Sequence, residues 1–157
     1  MIRQQIGDLL EFEYEGRFYY IVVLTKIVMF GGNIVFAHHT DGTRCLFADV
    51  NLKRKGFNIC TDLLFPKREG KVRRIHRYED ISEFWMTKYA KGTNEYRRGH
   101  RAKEWYVYHI NDLRNHIGRF RRLPRKYRSA MDHATFSFDR TAQLILDKYT
   151  PDKNEHL

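Results

Sequence analysis

The chain has 157 residues, 42% of them hydrophobic and 15% aromatic, and a formal net charge of +10 at pH 7. This length and composition exclude extensive disorder and predict a single domain over residues 1–157 with a core of its own. Cys45 and Cys60 belong to no CxxC pair, and the apolar run at 18–30 is too short to span a bilayer. Glutamates at 11, 13 and 15 interrupt any apolar core of a signal peptide. We therefore expect a cytoplasmic protein with reduced cysteines.

The first third of the chain has the pattern of β-strands joined by tight turns. Hydrophobic residues at 10, 12 and 14 alternate with the three glutamates, which is the period of a half-buried strand. Residues 18–29 form a continuous β-branched and aromatic run typical of a central strand. Turns containing Gly then lead into strands at 34–39 and 44–48. The pattern predicts a bent antiparallel meander over residues 8–48, with the glutamates on its wet face or paired with basic neighbouring strands.

The middle of the chain is predicted to hold a loop, a brief strand and a helix. Residues 51–58 are polar and basic and favour a loop, and residues 60–65 favour a strand. Asp80 and Glu83 have the spacing of a capping box, and apolar residues follow at helical spacing as far as Gly92. These features predict a helix over residues 81–91.

The last third predicts a strand pair and a final helix. Residues 105–110 and 113–120 have strand character on either side of an Asn-Asp turn, so a hairpin is expected within residues 104–120. Asp139 is placed to cap a helix over residues 139–149. The predicted fold class is α+β, with a bent antiparallel, SH3-like or barrel-like sheet formed by residues 8–48 and joined by 104–120. Two or three helices would pack against it.

Pro124 interrupts the arginine-rich run that follows the predicted hairpin. Proline lacks a backbone donor and biases Leu123 away from the helical region. We therefore expect a strand that ends near Phe120, an extended bend at 121–125, and at most a short helical turn after it. Phe120 and Leu123 would enter the core, while the arginines point outward.

Nearly all of the excess charge lies within residues 97–128. Eleven Lys and Arg there oppose two acidic residues, which leaves about +9 of the chain's +10. Nine of the eleven are arginine, which binds phosphate bidentately and stacks on rings, and aromatic residues are interleaved among them. This combination is typical of nucleic-acid binding. The predicted binding residues are Arg97, Arg98, Arg101, Arg114, Arg119, Arg121, Arg122, Arg125, Lys126, Arg128, Tyr106 and Tyr108.

Two alternatives stay open for this basic stretch. It is either the solvated face of a soluble protein or a surface that meets an acidic partner protein, which would also need aromatic anchors. Tyr106 and Tyr108 also have an alternative as core residues. Because side chains alternate along a strand, either this pair or Trp105 and Val107 should face the core.

No catalytic or metal-binding pattern is evident. His38 and His39 are adjacent and would point to opposite faces of a strand, and His109 and His116 lack the remaining elements of a His-Asn-His nuclease. Two scattered cysteines are too few for a typical zinc site. Walker, GxGxxG and GxSxG motifs are absent from the sequence. We predict a non-enzymatic protein without cofactor, metal, small-molecule substrate or membrane partner.

Several short segments share a pattern with a known family. They are Gly7-Asp8 with the strand LLEFEYEGRFYY, the strand WYVYHI, and the run from Ile117-Gly118 to Leu123-Pro124 with Tyr127, followed by the final helix at 139–149. Together they cover about half of the chain and resemble small bacterial immunity proteins that neutralise polymorphic toxins. The resemblance implies a barrel-like β-meander and an inhibitor that binds a partner protein, and it carries over no catalytic residue. The chain departs from inhibitors of nuclease toxins in being strongly basic.

Overall fold

The structure is a computed structural model that describes residues 4–26, 32–45, 55–63 and 71–157. In the described residues the fold is α+β and mostly β, with ten strands, one α-helix and two short 3-10 turns. The chain forms two compact units: unit 1 is Met1–Met86 with Thr135–Tyr149, and unit 2 is Thr87–Ala134 with Thr150–Leu157. Each unit draws on two separate stretches of chain, and the single domain expected over residues 1–157 stays a prediction.

Unit 1 contains a six-stranded sheet. Its strands are β1 (Asp8–Tyr14), β2 (Arg17–Lys26), β3 (Asn33–His38), β4 (Gly56–Thr61), β5 (Val72–Arg77) and β10 (Thr135–Phe136), in the spatial order β10-β4-β3-β2-β1-β5. All neighbours are antiparallel except β10, which runs parallel to β4. Glu15 and Gly16 join β1 to β2 with φ angles of 50° and 72°, the geometry of a two-residue hairpin turn. The first three strands of the predicted meander are therefore confirmed.

Hydrophobic side chains cover both faces of this sheet. On one face, Phe12, Ile21 and Ile59 pack with Ala142 and Ile145 of the helix α1 (Phe138–Leu146). On the other face, Leu9, Tyr20, Val22 and Phe36 pack with Phe84. Because β2 is buried on both sides, its sequence is continuously apolar and does not alternate.

The C-terminal helix predicted over residues 139–149 is present as α1, with a different cap. Ser137 is the N-cap residue, and its side-chain oxygen accepts a hydrogen bond from the backbone N–H of Arg140. Asp139, the cap predicted from the sequence, lies in the first turn. An acidic residue there also suits the positive end of the helix dipole.

The helix predicted over residues 81–91 is wrong. Residues 82–84 form a turn and a bend, residues 81, 85 and 86 have no regular structure, and the strand β6 (Tyr89–Gly92) occupies the end of the range. Phe84 packs against Tyr78 and Phe36, with ring centroids 5.0 and 5.7 Å apart, whereas Trp85 is 51% exposed. The apolar residues therefore do not lie on one side of an element, as an amphipathic helix would require.

Three other predictions also differ from the structure. The loop at 51–58 is wrong at its end, because β4 begins at Gly56, and residues 51–54 lie outside the described residues. The strand at 44–48 is not present at residues 44 and 45, and its remainder lies outside the described residues. Two or three helices were expected, but the described residues form one α-helix.

The burial of Glu11 differs from the expectation that all acidic residues of β1 face water. Glu11 is only 5% exposed, and Arg44 and Arg73 form ion pairs with it at 2.9 and 3.0 Å. Glu11 and Arg73 are directly opposite each other on β1 and β5, as the pairing alternative anticipated. Burial acts to raise the pKa of Glu11, but hydrogen bonds from Arg44, Tyr20 and Arg73 together lower it.

Unit 2 contains a separate four-stranded sheet. Its strands are β6, β7 (Trp105–His109), β8 (Asp112–Phe120) and β9 (Met131–Asp132), in the spatial order β8-β7-β6-β9. The predicted hairpin is confirmed, because β7 and β8 are antiparallel neighbours. The expectation that it joins the sheet of residues 8–48 is wrong, since β7 pairs with β6 instead. No helix in the described part of the chain is both long and apolar enough to cross a membrane.

Candidate functional site

The segment after β8, residues 121–129, is called here the arginine loop. It has the conformation predicted from Pro124: a bend at 121–122 followed by a 3-10 turn at Arg125–Tyr127. Leu123 and Tyr127 pack with Trp105 and Val107 of β7. Since these two apolar side chains attach the loop to the sheet, the charged residues between and beside them are left on the outside. All five are exposed: Arg121, Arg122, Arg125, Lys126 and Arg128.

Three of these arginines line one open concavity, called here the arginine concavity. Arg122, Arg125 and Arg128 lie around it with Ser129, Leu123 and Pro124, and its volume is about 870 Å³. Its other wall is Asp152, which belongs to the second 3-10 turn, Pro151–Lys153. The volume falls within the range of sites that hold small organic ligands, about 300–1,000 Å³.

The charges of the concavity are not neutralised by ion pairs. In the part of the chain that the structure describes, none of its three guanidinium groups lies within 4.0 Å of a carboxylate oxygen, and Asp152 has no ion pair either. Unit 2 as a whole has fourteen Lys and Arg against six Asp and Glu, a net charge of +8, whereas unit 1 has fifteen against thirteen, a net charge of +2. The concavity therefore presents three guanidinium groups with their donors available to an anion.

A buried lysine beneath the concavity connects its two walls. Lys91 is 1% exposed, and its Nζ donates to the carbonyl oxygens of Arg128 at 2.8 Å, Ala130 at 2.6 Å and Pro151 at 2.7 Å. Its Nζ also lies 3.4 Å from Asp132 Oδ1. Three donors on an ammonium group match three carbonyl acceptors. Lys91 thus holds the arginine loop and the turn that carries Asp152 in one arrangement.

The chemistry around Lys91 was not anticipated from the sequence. Burial lowers the pKa of Lys91, and the carboxylates of Asp132 and, to a lesser extent, Asp152 oppose that shift. Asp132 is itself held by Asn154, whose Nδ2 donates to Oδ1 at 2.8 Å. Lys91 stands in the ordinary strand sequence YAKG, and its acceptors lie 37 to 60 residues further along the chain. Nothing local in the sequence marks it as buried.

Tyr106 and Tyr108 lie on the opposite face of the sheet from the arginine loop. They alternate with Trp105 and Val107, which are buried beneath the loop, so the prediction that one of the two pairs is core is confirmed. The tyrosine rings contact histidines: Tyr108 stacks on His133 at a centroid distance of 4.2 Å, and Tyr106 meets His116 edge-on at 5.3 Å. The structure therefore does not bring these tyrosines to the arginine concavity.

Arg119 also lies on the tyrosine face and is already paired. Its Nε donates to Glu104, and its guanidinium carbon lies 6.0 Å from the centre of the Tyr106 ring. The hydroxyl of Tyr106 donates to the same carboxylate at 2.7 Å. Arg119 and Tyr106 lower the pKa of Glu104, and the hydrogen bond to Glu104 raises the pKa of Tyr106. Of the predicted binding arginines, this one is therefore the least available.

The remaining predicted cations are exposed but lie outside the walls of the concavity. Arg97, Arg98 and Arg101 belong to the β6–β7 connection, which is anchored where the Ala102 N–H donates to the His156 carbonyl at 2.9 Å. Arg114 stands near the start of β8. The ammonium of Lys126 lies 4.8 Å above the Tyr127 ring. The fourth charged residue of the concavity, Asp152, was not among the predicted site residues, because it is 24 positions beyond Arg128.

The described residues contain no cluster of three His, Cys, Asp or Glu placed to hold a metal ion. Comparisons of the chain with protein-family models, with curated proteins and with solved structures give no match. The candidate site therefore depends on the geometry and charge of this chain.

Proposed function

We propose that this chain is a non-enzymatic nucleic-acid-binding module whose arginine concavity receives the phosphate backbone. The observation that carries the proposal is the convergence of Arg122, Arg125 and Arg128, none of them in a described ion pair, on one concavity of about 870 Å³. Guanidinium groups bind phosphate oxygens through paired hydrogen bonds. A phosphate chain would satisfy all three arginines without requiring any further cation.

The anchoring of the concavity supports a binding site over a merely solvated basic face. A solvated face needs no fixed backbone, yet here a buried ammonium holds the carbonyls of Arg128 and Pro151 at 2.8 and 2.7 Å. A site that is already ordered loses less conformational entropy when its ligand binds. The exposed cations outside the concavity, Arg97, Arg98, Arg101, Arg114, Arg121 and Lys126, would then raise the rate of encounter with a polyanion.

Tyr106, Tyr108 and Arg119 take a secondary place in this proposal. They share the other face of the sheet, so a base that stacks on either ring belongs to a different part of the strand from the phosphates in the concavity. Recognition through the backbone is expected to dominate, as it does where contacts are mainly to phosphate.

The proposal can be tested by comparing two triple variants that remove the same charge. The first, Arg122→Gln/Arg125→Gln/Arg128→Gln, neutralises the concavity, and the second, Arg97→Gln/Arg98→Gln/Arg101→Gln, neutralises the β6–β7 connection. Binding of labelled single-stranded and duplex oligonucleotides is measured by fluorescence anisotropy over a range of salt concentrations. The concavity variant should lose about tenfold or more in affinity, and its log–log salt slope on a single strand should fall by at least about 0.7, the contribution of one phosphate.

The second triple variant is the control for net charge. Because its arginines would act only through long-range attraction, it should lose clearly less affinity than the concavity variant, and thermal melts of both variants check folding. Equal losses of affinity in the two variants would show that binding depends on the total positive charge and not on the arginine concavity. Absence of binding by the native chain at low salt would overturn the proposal itself.

A second candidate function is an inhibitor of the immunity or phage type that binds an acidic partner protein. The observation that favours it lies in unit 1, where Trp85 and Met86 are 51% and 42% exposed in consecutive positions. The backbone there is fixed, because Asn58 Nδ2 donates to the carbonyl oxygen of Trp85 at 2.9 Å. Exposed Trp on a fixed backbone is typical of interface anchors.

One co-purification experiment distinguishes the two functions. A protein partner that stays bound after nuclease treatment, is lost with Trp85→Ala and is kept by the concavity variant would favour the inhibitor. We also retain as proposals the barrel-like curvature of the meander at residues 8–48 and a cytoplasmic location, both of which suit either function.

A further inference from the structure

Asp152 brings a negative charge to the arginine concavity, where it also acts on the buried ammonium of Lys91 and raises the pKa of that group. Asp152 lines the concavity together with Arg122, Arg125 and Arg128, and the described residues give it no ion pair within 4.0 Å. A carboxylate repels phosphate, so a site for phosphate alone would be stronger without it. The ligand that suits this concavity therefore carries an anionic group together with a hydrogen-bond donor.

We propose that the arginine concavity binds one ribonucleotide unit, with its phosphate on the arginines and its 2′-hydroxyl donating to Asp152. This inference rests on the proposed nucleic-acid-binding function and specifies its substrate as RNA. The 2′-hydroxyl is the group that distinguishes RNA from DNA at a given position. An acidic side chain that accepts from a ribose hydroxyl is also a recurrent device in nucleotide sites.

The geometry of the walls supports discrimination. Asp152 follows Pro151, whose carbonyl oxygen is held by Lys91 Nζ at 2.7 Å, and Arg128 is held through its own carbonyl by the same nitrogen at 2.8 Å. The backbone of Arg128 and the backbone next to Asp152 are therefore attached to one buried ammonium group. A wall fixed in this way imposes a cost on a ligand that cannot make the hydrogen bond, because the polar group facing it loses water without gaining a partner.

The test compares homopolymers that share one base. Oligo(rU) and oligo(dU) differ in the 2′-hydroxyl, and a 2′-fluoro oligo(U) keeps an RNA-like sugar but has no hydroxyl proton to donate. With the native chain, oligo(rU) should bind about tenfold more tightly than oligo(dU), as expected for a hydrogen bond to a charged acceptor. The 2′-fluoro strand should behave like oligo(dU). Competition with uridine monophosphate shows whether a free nucleotide is sufficient or an RNA strand is required.

Asp152→Ala should remove the preference, bringing the ratio of the two affinities close to one, while binding of oligo(dU) becomes tighter because the repulsive charge is gone. Asp152→Asn keeps an acceptor oxygen and should keep part of the preference, which guards against a loss of folding in the alanine variant. Glu155→Ala removes an exposed carboxylate nearby in the sequence and should leave the ratio unchanged.

The outcomes separate this inference from the proposed function. Equal affinity for oligo(rU) and oligo(dU), with both weakened by the concavity triple variant, would overturn selection of RNA and leave nucleic-acid binding in place. A preference for oligo(rU) that survives Asp152→Ala would also overturn the role of Asp152. Binding of neither strand would remove both proposals.

Discussion

Replacing Lys91 with methionine removes the ammonium group that holds unit 2 together beneath the arginine concavity. Methionine keeps a similar length and an apolar stem, so the change isolates the charge and the hydrogen bonds. Three carbonyl oxygens, those of Arg128, Ala130 and Pro151, would lose their donor, and Asp132 would lose its counter-charge. Asp132 keeps the hydrogen bond from Asn154.

The expected cost is about 3–4 kcal/mol. Each buried polar group left without a partner costs about 1–3 kcal/mol, and removal of one member of a buried ion pair costs about 3–5 kcal/mol. The lower part of that range applies because methionine needs no desolvation of a charge and because the Arg128 carbonyl is only part-buried, so water can reach it. Such a loss is a large fraction of the about 5–15 kcal/mol that stabilises a typical domain.

The assay is urea unfolding followed by the fluorescence of Trp105, in a Trp85→Phe background so that the signal comes from unit 2. With a urea dependence of about 1–2 kcal/mol per M, the midpoint of Lys91→Met should fall by about 1.5–4 M. The matched control is Lys103→Met, which removes the same charge from an exposed position and should change stability by less than about 0.5 kcal/mol. A loss below about 1 kcal/mol in Lys91→Met would show that the three carbonyls do not depend on the ammonium.

Two further predictions concern unit 1. Glu11→Gln should cost about 1–3 kcal/mol at neutral pH, because it breaks a largely buried pairing with two arginines. Since the folded pKa of Glu11 lies below its ordinary value of 4.5, its contribution to stability is present above pH 4.5 and is lost as the pH falls through the folded pKa. The urea midpoints of the native chain and Glu11→Gln should therefore converge in acid. A difference between the midpoints that stays constant with pH would contradict this. Gly7 and Gly16 both have positive φ, at 90° and 72°, but an added Cβ would collide with the carbonyl oxygen of Tyr78 only at Gly7. Gly7→Ala should therefore lower the melting temperature well beyond Gly16→Ala, which should cost about 1 kcal/mol, and equal effects would refute the close contact.

Elements that depend on neighbouring residues could be predicted from the sequence. Alternation with a Glu-Gly turn specified the β1–β2 hairpin, and an Asn-Asp turn between two β-prone runs specified β7 and β8. Pro124 specified the break in the arginine loop, since proline cannot continue a strand or a helix there. These are short-range effects of backbone geometry, so they can be predicted without knowledge of the rest of the fold.

The helix wrongly predicted at 81–91 shows where local sequence patterns do not determine the structure. Asp80 and Glu83 have the spacing of a cap, but the Asp80 side chain accepts from Ser82 N–H at 2.8 Å in a tight turn instead. Tyr89 and Gly92 then pair with β7, a strand that lies more than ten residues further on. Long-range pairing and the burial of Phe84 thus overrode a helical signal of only modest strength.

The excess of arginine in residues 97–128 is evident from the sequence, but the fold sets which of these residues line one site. Alternation along β7 sends Tyr106 and Tyr108 to one face, while Leu123 and Tyr127 attach the arginine loop to the other. Asp152 reaches the concavity from the C-terminal segment, and Lys91 reaches three carbonyls from β6. Contacts of this kind depend on which strands are neighbours and which face of a sheet is covered, and neither is encoded within a local stretch of sequence.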